Sequence, residues 1–236
     1  MPPSAPPAKR RAAPARARAR GVQIGPLVAT AMVLQGAATV FAEHGVRAAS
    51  VSHLLVASGI SRRTFYRLFD SKEDVALALY KMGVDRLLGE CREIVAEEPE
   101  SLRQIERCID AHLKNARALG RLVFVLGGEA QRHESALHAT RMQAHVTLAA
   151  LLQPGVDQRA GLPVDPLLIE GLLLALEGVT RRVLEAGDEG RDVRDDAVAR
   201  ARGVMVRMAT GALAGEGRLV GPMPEAPAAR RRRPRA

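Results

Sequence analysis

The amino-acid sequence predicts an all-α protein, on three observations. Apolar residues recur at three- and four-residue spacing along most of the chain. Aromatic residues make up only 3% and Trp is absent, so the core must be built from Leu, Val, Ala and Met, which suits helix-on-helix packing. Alternating runs of strand type are nearly absent. A hydrophobic fraction of 47% supplies a core, and 236 residues hold one large domain or two small ones.

The pattern divides into nine helices. The first runs from Pro26, suited to a first helical position, to about His44, with Val33, Leu34, Ala37, Ala38 and Phe41 as its buried stripe. Ser50 caps a short second helix whose apolar side is Leu54, Leu55 and Ala57. Gly59 breaks it, Ile60 plugs the angle, and Ser61 caps a third helix carrying Phe65, Leu68 and Phe69 at helical spacing. Ser71, with Asp74 three residues on, caps a long fourth helix to about Glu97. A fifth is expected from Ser101 to Ala118, then two near Arg121 to Arg132 and Glu134 to Leu152. Gln153 to Pro163 is expected as a loop, followed by an eighth helix over Asp165 to Ala186 and a ninth over Arg191 to Ala214. Helix eight is apolar around most of its girth, with Gly171, Ala175 and Gly178 as a close-approach face. Such a helix needs two partners: its own core and either more intrachain core or the same helices of a second subunit.

Helices two and three form a helix-turn-helix whose second helix exposes Arg62, Arg63, Thr64, Tyr66 and Arg67, the cations and hydroxyls that meet phosphates and base edges in a major groove. The segment resembles the DNA-binding domain of the TetR/AcrR family of bacterial transcriptional regulators. The resemblance rests on A-A-T-V-F-A-E-H-G at Ala37 to Gly45, S-V-S-H-L-L-V-A-S-G-I-S at Ser50 to Ser61, and T-F-Y-R-L-F-D-S-K-E at Thr64 to Glu73. Two places depart from the pattern: Leu68 stands where the family usually carries a polar aromatic residue, and Pro26 to Val33 lacks the usual charged residues.

That resemblance implies a three-helix N-terminal domain at residues 25–72 and a six-helix effector-binding and dimerisation domain at 73–216, with dimerisation through the last two helices. It implies Thr64 and Tyr66 as phosphate-contacting hydroxyls and Lys72 as a further phosphate contact at a helix N-terminus. Arg62, Arg63 and Arg67 are the candidate base-edge readers, and Ser52 and His53 are candidate backbone contacts. The expected function is a ligand-responsive dimeric regulator, a repressor at a palindromic operator. The alternative is a small-molecule sensor of the same fold with weak or no specific DNA binding.

The formal net charge of +9 belongs to the ends. Residues 1–20 carry +6 and residues 221–236 carry +4, leaving the body near neutral. Both ends, 1–20 and 217–236, read as basic tails too polar to bury a core, either solvated appendages or arms along DNA phosphates. The N-terminus has no apolar signal segment, and the run Leu167 to Leu176 is too short to span a bilayer, so a cytoplasmic protein with no membrane partner is expected. Cys91 and Cys108 suit a reducing compartment; they lie about equally far from the turn near Pro99, so a hairpin brings them near each other.

No catalytic constellation, metal set or cofactor motif emerges, and an enzyme is not expected. Gly127-Gly128 follows no strand, and His138 and His145 stand roughly 10 Å apart along a helix axis. Polar or polarisable residues that interrupt apolar faces mark a candidate effector pocket: Met82, His112, Phe124, Glu129, His138, Met142 and His145. Each of these positions also reads as ordinary surface or core, and Glu129 and Arg132 are spaced to pair with each other.

Overall fold

The computed structural model of the chain describes residues 25–161, 163–186 and 195–214. Both tails lie outside the described residues. Among those described there are nine helices and no strand: α1 Pro26–Ala48, α2 Val51–Ser58, α3 Arg62–Leu68, α4 Lys72–Glu97, α5 Ser101–Leu119, α6 Arg121–Ala130, α7 Ala136–Ala160, α8 Pro166–Ala186 and α9 Asp195–Ala214.

Apolar side chains gather in two clusters. The first holds Val33, Phe41, Leu54, Ile60 and Phe65 from α1 to α3 and the turns between them. It is not closed at residue 72: Val75 and Ala76 of α4, Leu122, Leu126 and Ala130 of α6, and Leu137 of α7 complete it. The second is built from α4, α5, α7, α8 and α9 around Cys91, Ile94, Ile109, Leu152, Ile169 and Met205. Helix α4 thus contributes its first turn to one cluster and its second half to the other.

The start of α4 is fixed by reciprocal capping. Ser71 Oγ accepts from Asp74 N–H at 3.1 Å, and Asp74 Oδ2 accepts from Ser71 N–H at 2.9 Å. At the end of α1, Gly45 has φ 76° and interrupts the helical path, so the regular helix ends where the sequence suggests, with one further turn attached.

Three expectations are corrected. Gln153 to Pro163 is not a loop, because α7 continues through Pro154 to Ala160. Proline removes one helical donor, but Leu152 and Val156 on either side of it are buried in the second cluster. The end is tied down as well: Asp157 Oδ1 accepts from Gln153 Nε2 at 2.7 Å and from Val164 N–H at 2.8 Å. Helix α6 stops at Ala130, and α7 starts after Ser135, whose hydroxyl accepts from Leu137 N–H. The expected start of α9 at Arg191 lies outside the described residues.

By length and composition, α1 is a described helix apolar enough to cross a membrane, which the sequence reading passed over. Its apolar face, Ala29, Val33, Ala37, Val40 and Phe41, is packed in the first cluster.

Gly36 makes the closest approach in that cluster. A Cβ there would lie 2.8 Å from Ser58 N and 2.9 Å from Ala57 C, both backbone atoms of α2. Gly36→Ala must therefore push α2 off α1. It should cost about 1–3 kcal/mol in a denaturant titration and weaken DNA binding with it; unchanged stability would contradict the packing described here.

Candidate DNA interface and effector cavity

The recognition helix is positioned from both ends. Ser50 Oγ accepts from His53 N–H at 3.2 Å, which starts α2. Gly59 closes α2 in the left-handed conformation at φ 67°, where a side chain would strain the backbone. Ile60 is 7% exposed and plugs the corner, and Ser61 Oγ accepts from Thr64 N–H at 3.2 Å to start α3. Phe65 is fully buried and stacks edge-on against Tyr66, with ring centres 5.4 Å apart.

With Phe65 inside, Arg62, Arg63, Tyr66 and Arg67 face outward, and among the described residues none of the three arginines has an ion-pair partner. Ser52 and His53 are exposed on α2, with the His53 ring 5.3 Å from that of His44. Thr64 is half-buried, its hydroxyl 3.0 Å from Ser61 Oγ. Leu68, the departure from the family pattern, is half-buried against the first cluster.

Lys72 is placed differently from expectation. Its ammonium donates to Arg47 O at 2.8 Å and Ala49 O at 2.6 Å, the carbonyls that end α1, where a cation also meets the negative end of the helix dipole. It braces α1 against the start of α4 and does not point freely outward.

The candidate effector cavity has two chambers. The inner one, about 170 Å³, lies among α4, α5, α7, α8 and α9 and is walled mostly by Leu, Ile and Val. The outer one, about 310 Å³, lies among α4, α5, α6 and α8. Tyr80, Val84, Leu87, His112 and Glu177 belong to the walls of both.

Of the seven pocket candidates from the sequence, the structure brings four to the cavity. His145 lines the inner chamber, Met82 and Phe124 the outer, and His112 both. The other three fall outside these walls. Glu129 lies 3.9 Å from Arg132, His138 Nδ1 is 3.2 Å from Ala130 O, and Met142 is 39% exposed beside Arg141.

The sequence reading missed Tyr80, Arg141 and Glu177. Arg141 is 8% exposed, and its Nε lies 3.0 Å from both carboxylate oxygens of Glu177, with Nη2 at 2.6 Å from Oε2. Neither charge stands out in the sequence, since α7 and α8 each carry other charged residues, which are half-buried or exposed.

Thr180 gives its hydroxyl proton to Leu176 O at 3.1 Å, so His112 Nε2–H is the donor in the 2.9 Å bond between those two side chains. Loss of water pushes the pKa of both His112 and His145 down, against the pull of Glu177, and both are neutral at pH 7. Cys91 and Cys108 do meet across the α4–α5 hairpin as free, buried thiols in the inner wall. Hydrogen bonding to Cys108 and burial push the Cys91 thiol up, so it stays protonated.

An exposed basic helix-turn-helix joined to a helical domain fits the class of DNA-binding transcription regulators. Comparison with known proteins agrees. The family model described as bacterial regulatory proteins, tetR family, matches residues 33–79. The HTH-type transcriptional repressor KstR2 of Rhodococcus jostii (strain RHA1) is 39% identical over 77 residues, 33% of this chain and 38% of that repressor, so the match spans well under half its length. The fatty acid metabolism regulator protein of Bacillus subtilis (strain 168) is 25% identical over 164 residues, 69% of this chain and 72% of that protein.

Among solved structures, the fatty acid degradation regulator FadR from Bacillus halodurans superposes with a TM-score of 0.63 at 22% identity, covering 75% of this chain and 97% of that one. FadR from Bacillus subtilis in complex with stearoyl-CoA gives 0.63 at 18% identity, covering 77% and 98%. At these identities the structural likeness shows the fold. Residues 33–79 thus match the helix-turn-helix region of the tetR family of bacterial regulatory proteins, and the chain is similar to transcriptional regulators.

Because the α3 side chains are exposed, Arg63→Ala should weaken binding to a selected operator by about 1–3 kcal/mol. Tyr66→Phe should weaken it by about 0.5–1.5 kcal/mol. Neither should move the thermal midpoint. Wild-type operator affinity in both variants would show that α3 does not read the groove.

Proposed function

We propose that the protein is a dimeric repressor that binds a near-palindromic operator and releases it when an apolar effector fills the cavity. The observation that supports this best is the double membership of α4, whose first turn is part of the helix-turn-helix core while Tyr80, Val84 and Leu87 wall both chambers. A ligand that favours one placement of α4 thereby favours one placement of α3.

In a dimer, two α3 helices must sit about 34–36 Å apart to enter successive major grooves, so a small tilt of α4 in each protomer changes affinity. Arg62, Arg63 and Arg67 read base edges, Thr64, Tyr66, Ser52 and His53 meet the backbone, and Lys72 acts as the brace behind them. The basic residues of 1–20 add a salt-sensitive hold on phosphates. DNA as partner sets the protein in the cytoplasm.

The walls of the inner chamber suit an acyl chain. Proteins named for fatty-acid regulation stand among the relatives, and one was solved with stearoyl-CoA. Binding-site selection on the purified protein, followed by titration of the selected DNA complex with long-chain acyl compounds, tests the proposal. Selection of a near-palindrome that such compounds release is expected; indifferent sequence selection would favour a sensor without specific DNA binding.

The dimer face is taken to be α8 with α9. Leu167 is 70% exposed and Leu174 44%, and with Gly171 and Gly178 they form one open, largely apolar side of α8. A Cβ on Gly178 would meet nothing within 4 Å inside the protomer. Gly178→Leu should therefore leave the protomer's fold intact and shift the protein toward monomer in sedimentation velocity. A wild type already monomeric at micromolar concentration would refute the face.

A further inference from the structure

The inner chamber's wall contains one Arg or Lys, Arg141, and one carboxylate, Glu177. The two neutralise each other. Three short contacts join guanidinium to carboxylate, and the remaining nitrogen, Nη1, lies 3.7 Å from Met142 Sδ. The Nε–Nη2 edge is taken by Glu177, and the charge that the Nη1 end could still offer a second carboxylate is already neutralised by the first. His112 and His145 add no positive charge. An ionised head group entering here would sit beside Glu177, out of water and unpaired, which is among the costliest arrangements a cavity can offer.

What the chamber does offer is a neutral donor. Tyr80 Oη makes no hydrogen bond to the protein among the described residues. Desolvation, then the charge of Glu177, pushes the phenol up to about 12, so it keeps its proton. The outer chamber differs, with Arg86 and Arg181 in its wall, so charge farther along a ligand is not excluded there.

We propose that the inner chamber takes an apolar chain only when its polar end is an uncharged hydrogen-bond acceptor (an ester, thioester, amide or ketone carbonyl) set against Tyr80, and that Glu177 is the residue that excludes carboxylates. The inference rests on the effector reading of the cavity. Glu177 acts by occupying Arg141, and is therefore a specificity-determining residue that the effector itself need not touch.

Calorimetric titration of the full-length protein with laurate and with methyl laurate, at about pH 8 where the acid is ionised, tests it. Wild type should bind the ester at least about tenfold more tightly than the acid. Glu177→Gln frees Arg141 and should strengthen laurate binding by about tenfold or more, reversing or levelling the preference. Tyr80→Phe should weaken the ester and leave laurate unchanged.

Equal affinity of wild type for acid and ester overturns the head-group inference while leaving the effector reading intact. So does a Glu177→Gln protein that keeps the wild-type helical circular dichroism yet gains nothing for laurate. Binding of neither compound by wild type overturns the effector reading and this inference with it. The wild-type comparison decides the matter even where the variant fails to fold.

Discussion

Everything in this molecule depends on one helix belonging to two apolar cores. Val75 and Ala76 at the start of α4 are fully buried against α1 and α3, while Cys91 and Ile94, four to five turns later, are buried against α5 and the helices behind it. A close-packed interior does not deform continuously, so α4 moves as a rod or changes its packing in steps. Its N-terminal end is held by the Ser71–Asp74 capping box and by Lys72 on the last carbonyls of α1. Any displacement imposed at Tyr80 must then travel into α1 and the helix-turn-helix or break those bonds.

Helix α6 supplies a second connection. Leu122 and Leu126 are buried in the first core and also line the outer chamber. The helix-turn-helix unit is accordingly not a bead on a string: its core is completed by residues lying some fifty or more positions later in the chain. Under the proposed function, such an arrangement would let a ligand in the cavity act on the DNA-binding surface without any long-range electrostatics, consistent with a body that is nearly neutral once the terminal segments are set aside.

The fold was largely legible because its punctuation is local. Ser50, Ser61 and Ser71 each accept the hydrogen bond that their positions announce, and Gly59 takes the positive φ that its place after Ser58 requires. The one mistaken loop came from reading Pro154-Gly155 by the same local rule. There, burial of Leu152 and Val156 outweighs a missing donor, and Gly155 is where the α5 side chains of Ser101 and Gln104 come closest, a tertiary fact that no local pattern carries. The cavity was half legible for a related reason. His112 and His145 stand out in apolar stretches, whereas Arg141 and Glu177 look like ordinary surface charges until α7 and α8 are laid side by side. Glu129 and His138 fall outside the walls, Glu129 beside Arg132 and His138 against the Ala130 carbonyl that ends α6.

The Arg141–Glu177 pair is better understood as a specificity device than as a source of stability. Replacing such a pair with apolar residues of similar size is often neutral, whereas removing one partner alone can cost about 3–5 kcal/mol because the other is left uncompensated. The pair's partial access to solvent lowers that figure here, with Glu177 23% exposed. Its geometric effect is larger than its energetic one. Nε bridging both carboxylate oxygens fixes the register of α7 against α8, and α8 also carries the open face taken as the dimer contact. The pair thus joins the cavity wall to the helix that carries the proposed dimer face, and a ligand able to compete for Arg141 would disturb that link. An uncharged head group that takes the hydroxyl of Tyr80 instead leaves that register alone and acts on α4, the one helix that both cores share.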